Sequence, residues 1–157
     1  GTHTFIELDH QGNRTKGAGN PSAETQLHLG MYKLIPHANV VLHTHSVAAT
    51  VLSRVIKSHA LNLSGYEMQK SLSGVTSHLD TLSIPIFEND QDIDRLSLLL
   101  SDHHLHTAIE HAVLIRGHGV YVVGRNYKQA LRHLEGLEFL FSCELERLKI
   151  EGIGAQL

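Results

Sequence analysis

Tryptophan is absent from this 157-residue chain, and aromatic residues make up only 5% of it. A surface that stacks nucleic-acid bases needs such side chains, so that class of function loses its simplest support. Charge offers it nothing either. Thirteen Lys and Arg against 16 Asp and Glu give a formal net charge of −3, with no excess to draw in a phosphate backbone or an anionic membrane. The single cysteine, Cys143, excludes an intrachain disulfide and fits a reducing compartment, hence an expected cytoplasmic location. No apolar run approaches the roughly 20 residues of a membrane-spanning helix. What remains is 41% hydrophobic and 18% charged, in a length that suits one domain with a core needing no covalent staples.

Histidine, by contrast, is plentiful: 14 residues. Most must be structural or solvated, so each candidate ligand needs its own context. His43-Thr44-His45 closes the apolar run Val40-Val41-Leu42. In an extended strand, residues two apart point to the same side, so both imidazoles can reach one metal ion. On a helix the same spacing would splay them. A third imidazole stands in Arg116-Gly117-His118-Gly119, again after an apolar run, Ala112 to Ile115. Three histidines with an open position suit a catalytic zinc. Read from spacing alone, polar residues ending two strands account for the pattern equally well, because a lone His-x-His pair is a weak motif.

In chain order, Thr4 to Leu8 reads as a strand closed by a turn at Asp9 to Gly12. Residues 13 to 20 read as a polar, Gly-rich loop. Asn20 and Pro21 suggest a helix cap and first turn, Leu27, Met31 and Leu34 give its apolar stripe, and Pro36 stops it. After the strand at 39 to 43, Ser46 caps a helix to about Ser58 with Val47, Val51, Arg54 and Val55 in register. Residues 59 to 63 fit strand or helix, and 64 to 70 a short helical turn. Ile84 to Phe87 forms a short strand whose Pro85 suggests an edge or a strand end. Asn89, Asp90 and Asp92 supply acidic capping for a helix carrying Ile93, Leu96 and Leu100, and the histidines of 102 to 106 are expected in solvent. Strands at Ala112 to Arg116 and Val120 to Val123 flank a turn that the glycines let bend tightly and expose His118. Asn126 then caps a long helix with an apolar repeat from Tyr127 to Leu148; Glu138, Glu146 and Lys149 should face water or a partner, and Cys143 should pack.

Glu67 follows an apolar segment on a polar turn. A carboxylate near a metal-bound carbonyl can move a proton from the adjacent carbon. Chemistry alone favours an ordinary surface role, where Glu usually sits.

Pro21-Ser22-Ala23-Glu24, Ala38 through Ser46 and Arg116-Gly117-His118-Gly119 together resemble the class II (zinc-dependent) aldolase/epimerase family. Gly65 to Lys70, Glu88 to Asp92 and Arg132 to Leu140 are similar to one branch of it, which removes water from 5-methylthioribulose 1-phosphate in methionine salvage. The resemblance implies a three-layer α/β/α fold with a mixed, mainly antiparallel central sheet. It implies one zinc per subunit on His43, His45 and His118, Glu67 as acid/base, Ser22 and Glu24 on the substrate, and a homotetramer with each site near a subunit boundary. Zinc would polarise the ketose oxygens while Glu67 moved protons, giving a 2,3-diketo phosphate. The whole of 1–157 is expected to be a single domain of this kind, without the N-terminal segment from which the family contacts the substrate phosphate. A sugar-phosphate aldolase or 4-epimerase is the nearest rival. A non-catalytic module like the adducin head is the rival of another class, disfavoured by retention of the histidines and Glu67.

Overall fold

The computed structural model describes residues 5–154. Its centre is a five-stranded sheet in the order β3-β7-β6-β5-β4, made of β3 (Val40–Thr44), β4 (Ala60–Leu63), β5 (Leu82–Phe87), β6 (Ala112–Ile115) and β7 (Gly119–Gly124). Only β5 and β6 run parallel, joined through α3 (Ile93–His106); every other pairing in this sheet is antiparallel. A parallel neighbour needs a crossover long enough for a helix, and α3 provides it.

Both faces of the sheet are covered. α1 (Thr25–Leu34) and α3 pack on one side, where Leu27, Met31, Leu96 and Leu100 meet Val41, Val113, Ile115, Tyr121 and Val123. α2 (Val47–Val55) and α4 (Tyr127–Gly154) pack on the other, where Ala49, Leu52, Leu137 and Phe141 meet Ala112, Leu114, Val120 and Val122. Successive residues of β6 and β7 thus feed opposite cores, which is why these strands read as unbroken apolar runs. The expected three-layer α/β/α architecture is the one observed.

Several local expectations change. Thr4 lies outside the described residues, and the first strand is β1 (Glu7–Leu8). The expected loop at 13 to 20 contains β2 (Arg14–Lys16), paired antiparallel with β1. All three of its side chains are exposed, so no alternating pattern announces it; the Asp9 side chain, accepting from the Gln11 and Asn13 N–H groups, makes the hairpin. α1 begins at Thr25 rather than after Asn20; the Ser22 hydroxyl accepts from Glu24 N–H in the turn before it. α2 buries Ala48, Ala49 and Leu52, leaving Val47, Val51 and Val55 exposed. The two stripes share one period, and the alanines let the helix lie closer to its neighbours than the branched valines would. Residues 60 to 63 settle as an edge strand, and β5 is an inner one. Pro85 is tolerated there because Ile86 N–H bonds His59 O on the β4 side, so the position of the missing N–H at Pro85 faces β6, whose pairing starts only at Ile86. Of the α3 histidines, His103 lies edge-on to Phe87 and His104 accepts from Ile109 N–H; only His106 is mostly in solvent. On α4, Tyr127 is exposed, whereas Glu138 is half-buried and accepts from the Thr44 hydroxyl. No described helix is long and apolar enough to cross a membrane.

Candidate metal centre

His43 shares the parity of Val41 on β3, so its ring lies on the α1/α3 side, stacked on Tyr121 with centroids 3.9 Å apart. His45 stands one residue beyond the strand, where Ser46 already caps α2 by accepting from Ala49 N–H at 3.2 Å. His118 occupies the tight connection of β6 and β7. Gly117 there has φ +67°, in the left-handed region that favours glycine. Gly119 is required for another reason: a Cβ on it would lie 2.0 Å from Thr44 O. That close approach sets the His118 turn against the end of β3.

The turn is also fastened to α2. Arg116 donates to Ser53 O and Ile56 O at the end of that helix, to Ser58 O beyond it, and to Glu88 at 2.6 Å. Gly117 N–H reaches Ser53 Oγ at 2.9 Å, and Thr50 Oγ1 donates to His118 O at 3.3 Å. A guanidinium at a helix C-terminus satisfies carbonyls that have no partner within the helix. Here it also ties the helix that follows His45 to the turn that carries His118.

The three imidazoles converge, and a carboxylate joins them. His43 Nε2 and His45 Nε2 are 2.8 Å apart, and His45 Nε2 and His118 Nε2 are 3.0 Å apart. Glu24 Oε1 lies 2.9 Å from His118 Nε2, 3.4 Å from His45 Nε2 and 3.5 Å from His43 Nε2. All four donor atoms fall within 4.8 Å of one another. Two of the rings have their outer nitrogens engaged: His43 Nδ1 on Val120 O at 2.9 Å and His118 Nδ1 on Asn89 Oδ1 at 3.2 Å. With Nδ1 as the donor in each neutral ring, Nε2 presents a lone pair inward. Inward lone pairs and a carboxylate this close repel unless a cation stands among them. Nitrogens around a tetrahedral zinc would sit roughly 3.3 Å apart, a few tenths of an ångström wider than found here. The donor set therefore fits a divalent metal ion.

Electrostatics point the same way. Burial holds the His43 pKa below its ordinary value, outweighing the Val120 hydrogen bond and the Glu24 charge, so the neutral, ligating form is favoured. For Glu24, burial pushes the pKa up, but the His118 hydrogen bond and the three imidazoles outweigh it and hold the carboxyl below the usual range. The His43 side chain is 8% exposed and that of His45 59%, so the cluster opens to solvent on the His45 side.

The structure thus brings His43, His45 and His118 together, with Glu24 among them. Ser22 is exposed, two residues before Glu24. Glu67 lies elsewhere: its side chain is 72% exposed on a short 3-10 helix, Glu67–Ser71, with Lys70 Nζ at 2.6 Å and His78 Nδ1 at 3.9 Å. Neither partner belongs to the cluster. Asn89, expected to cap a helix, instead orients His118, and Asp92 alone caps α3 by accepting from Arg95 N–H. No spacing rule finds Glu24 or Asn89 as companions of His118, because they lie 94 and 29 residues away from it in the chain.

Residues 2–145 match the class II aldolase and adducin N-terminal domain. The chain belongs to that family. It is 72% identical over 151 residues to a methylthioribulose-1-phosphate dehydratase of Pseudoalteromonas translucida, covering 96% of this chain and 72% of that protein. A dehydratase of the same name from Serratia proteamaculans is 54% identical over 147 residues, covering 94% and 72%. Among solved structures, an L-fuculose 1-phosphate aldolase superposes with a TM-score of 0.71 at 19% identity, over 92% of this chain and 62% of that one. The L-fuculose-1-phosphate aldolase of Thermus thermophilus gives 0.68 at 22% identity, over 94% and 71%. These two establish the shared fold. The family is metal-dependent, in keeping with the Glu24 and three-histidine cluster.

Proposed function

We propose that the chain removes water from 5-methylthioribulose 1-phosphate to give 5-methylthio-2,3-dioxopentyl phosphate, a step of methionine salvage, as a cytoplasmic zinc enzyme. The observation that carries the reading is the convergence of Glu24, His43, His45 and His118 in a chain 72% identical to a dehydratase named for this substrate. A zinc ion held by the three imidazoles would polarise the ketose oxygens and stabilise negative charge on them.

The chain's own groups account for the rest. The reaction removes a proton from C3 and hydroxide from C4, and the resulting enol becomes the second ketone when C4 takes up a proton. A carboxylate that accepts the first proton and returns one to the departing hydroxide balances these steps. Glu67 is that group in this reading. Its exposure, and its lack of any bond to its own chain's cluster, suit action at a boundary between subunits of a homotetramer. Glu24 would help to hold the metal, and with Ser22, exposed two residues before it, would contact the substrate.

The test pairs two variants. Glu67→Gln keeps the volume and removes the basic oxygen; turnover should fall by about 10²–10⁴-fold with zinc content unchanged. His45→Ala should lose zinc and activity together. Parental turnover in Glu67→Gln would overturn its role, and zinc loss as complete as in His45→Ala would make Glu67 a ligand instead.

A further inference from the structure

Glu67 leaves the protein from a segment that is unusually well anchored for an exposed turn. Its neighbour Tyr66 is half-buried against the α2/α4 core. The Tyr66 hydroxyl donates to Glu144 Oε2 on α4 at 2.9 Å. Glu144 is itself buried, with 7% of its side chain exposed, and Arg147 Nε donates to the same oxygen at 3.0 Å. A buried carboxylate is costly unless charge-paired and hydrogen-bonded, and Glu144 is both. The segment is closed on itself as well: Tyr66 N–H bonds Gln69 Oε1 at 3.2 Å, and the fully buried Gln69 sends Nε2 to Asp80 O at 2.8 Å. At its far end two buried histidines grip the backbone of one residue, Ser73. His133 Nε2 accepts from Ser73 N–H at 3.1 Å, and His111 Nε2 donates to Ser73 O at 2.6 Å.

None of these groups reaches the metal cluster, and the proposed chemistry uses none of them. What they share is the backbone from which Glu67 projects. We infer that Glu144 and Tyr66 form a latch between α4 and this turn, and that they are positioning residues which aim the Glu67 carboxylate. The inference rests on the acid/base reading of Glu67. Catalytic groups must be held to within about 0.5 Å of productive geometry, and an exposed Glu on a 3-10 turn has no packing of its own to do so. The latch supplies that restraint from behind, through the residue immediately before it. Arg147 keeps Glu144 ionised and so keeps a strong acceptor in front of the Tyr66 hydroxyl.

The experiment is a double-mutant cycle with zinc content as a parallel readout. Tyr66→Phe preserves the packing and removes only the latch hydroxyl. It should lower kcat by about tenfold or more while KM and bound zinc stay at parental values, since misplacement of a catalytic group falls on the chemical step. Introduced on top of Glu67→Gln, the same change should cost nothing further, because there is no longer a proton acceptor to aim. Glu144→Gln, which retains an oxygen to accept from Tyr66, should keep most of the kcat that Glu144→Ala loses. Parental kcat in Tyr66→Phe beside an inactive Glu67→Gln overturns the latch and leaves the role of Glu67 standing. An equal loss from Tyr66→Phe in both backgrounds shows a general structural effect and also overturns it. A fully active Glu67→Gln overturns the reading of Glu67 itself.

Discussion

Asn89 and His118 meet across the end of the sheet, with Asn89 Oδ1 3.2 Å from His118 Nδ1. The amide oxygen holds the imidazole in the tautomer that turns Nε2 toward Glu24 and His45. His43 obtains the same service from the Val120 carbonyl, which no substitution can remove. Asn89 is therefore a side chain through which a ligand's orientation can be altered without touching a ligand.

Asn89→Ala should weaken zinc binding by about 10–100-fold, the usual cost of losing an orienting partner of a metal-bound histidine. Competition against a chromophoric chelator measures it. Activity should return when zinc is supplied in excess. Unchanged affinity would mean that the Arg116 and Gly117 contacts to α2 fix the ring by themselves.

Gly119 admits no side chain, since a Cβ there would meet Thr44 O at 2.0 Å and His45 Cα at 3.2 Å. Both are backbone atoms and cannot rotate aside. Gly119→Ala should cost about 3 kcal/mol or more in chemical denaturation, at or above the upper range for overpacking. It should also impair metal retention, because the displaced backbone carries His45. Gly152, where nothing lies within 4 Å of an added Cβ, makes the control: Gly152→Ala should be tolerated.

Stability should fall with acidification well before the carboxylates titrate. Burial first, then the neighbouring His111 and positive Arg132, hold the His133 pKa below its ordinary 6.5, against the opposing Val123 hydrogen bond. The folded state thus binds its proton at lower pH than the unfolded chain does. Its contribution is fully present above about 6.5 and is lost as pH drops through the folded value. Burial shifts His28 in the same direction, so it adds to the slope. The urea midpoint of chelator-treated protein should be lower at pH 5.5 than at pH 7.5, and His133→Gln should flatten the difference. A pH-independent midpoint in the parent would count against a neutral buried His133.

Much of the scaffold is legible without coordinates. The apolar runs of β6 and β7, the Ser46 cap of α2 and the stop at Pro36 rest on short-range rules, periods of two or of 3.6 and the needs of helix ends, that operate within a few residues. The misreadings have long-range causes. β2 has no apolar face because all three of its side chains stay exposed and it pairs only with β1. The Val47, Val51 and Val55 stripe has a valid helical period, yet Ala48, Ala49 and Leu52 won the core through closer packing. Pro85 sits in an inner strand because its neighbour β6 begins pairing one residue later.

The candidate site divides along the same line. That His43 and His45 share one side of a strand end follows from their spacing alone, since alternation along a strand is local geometry. Their meeting with His118 follows from the β3–β7 register and from the contact of Gly119 with Thr44, residues far apart in the chain. Glu24 enters because α1 packs over the face on which His43 lies, and Asn89 because β5 ends beside the His118 turn. Such contacts depend on which faces of separate elements are buried against each other. That choice is made by the packing of the whole sheet and its four helices, and no short window of residues contains it.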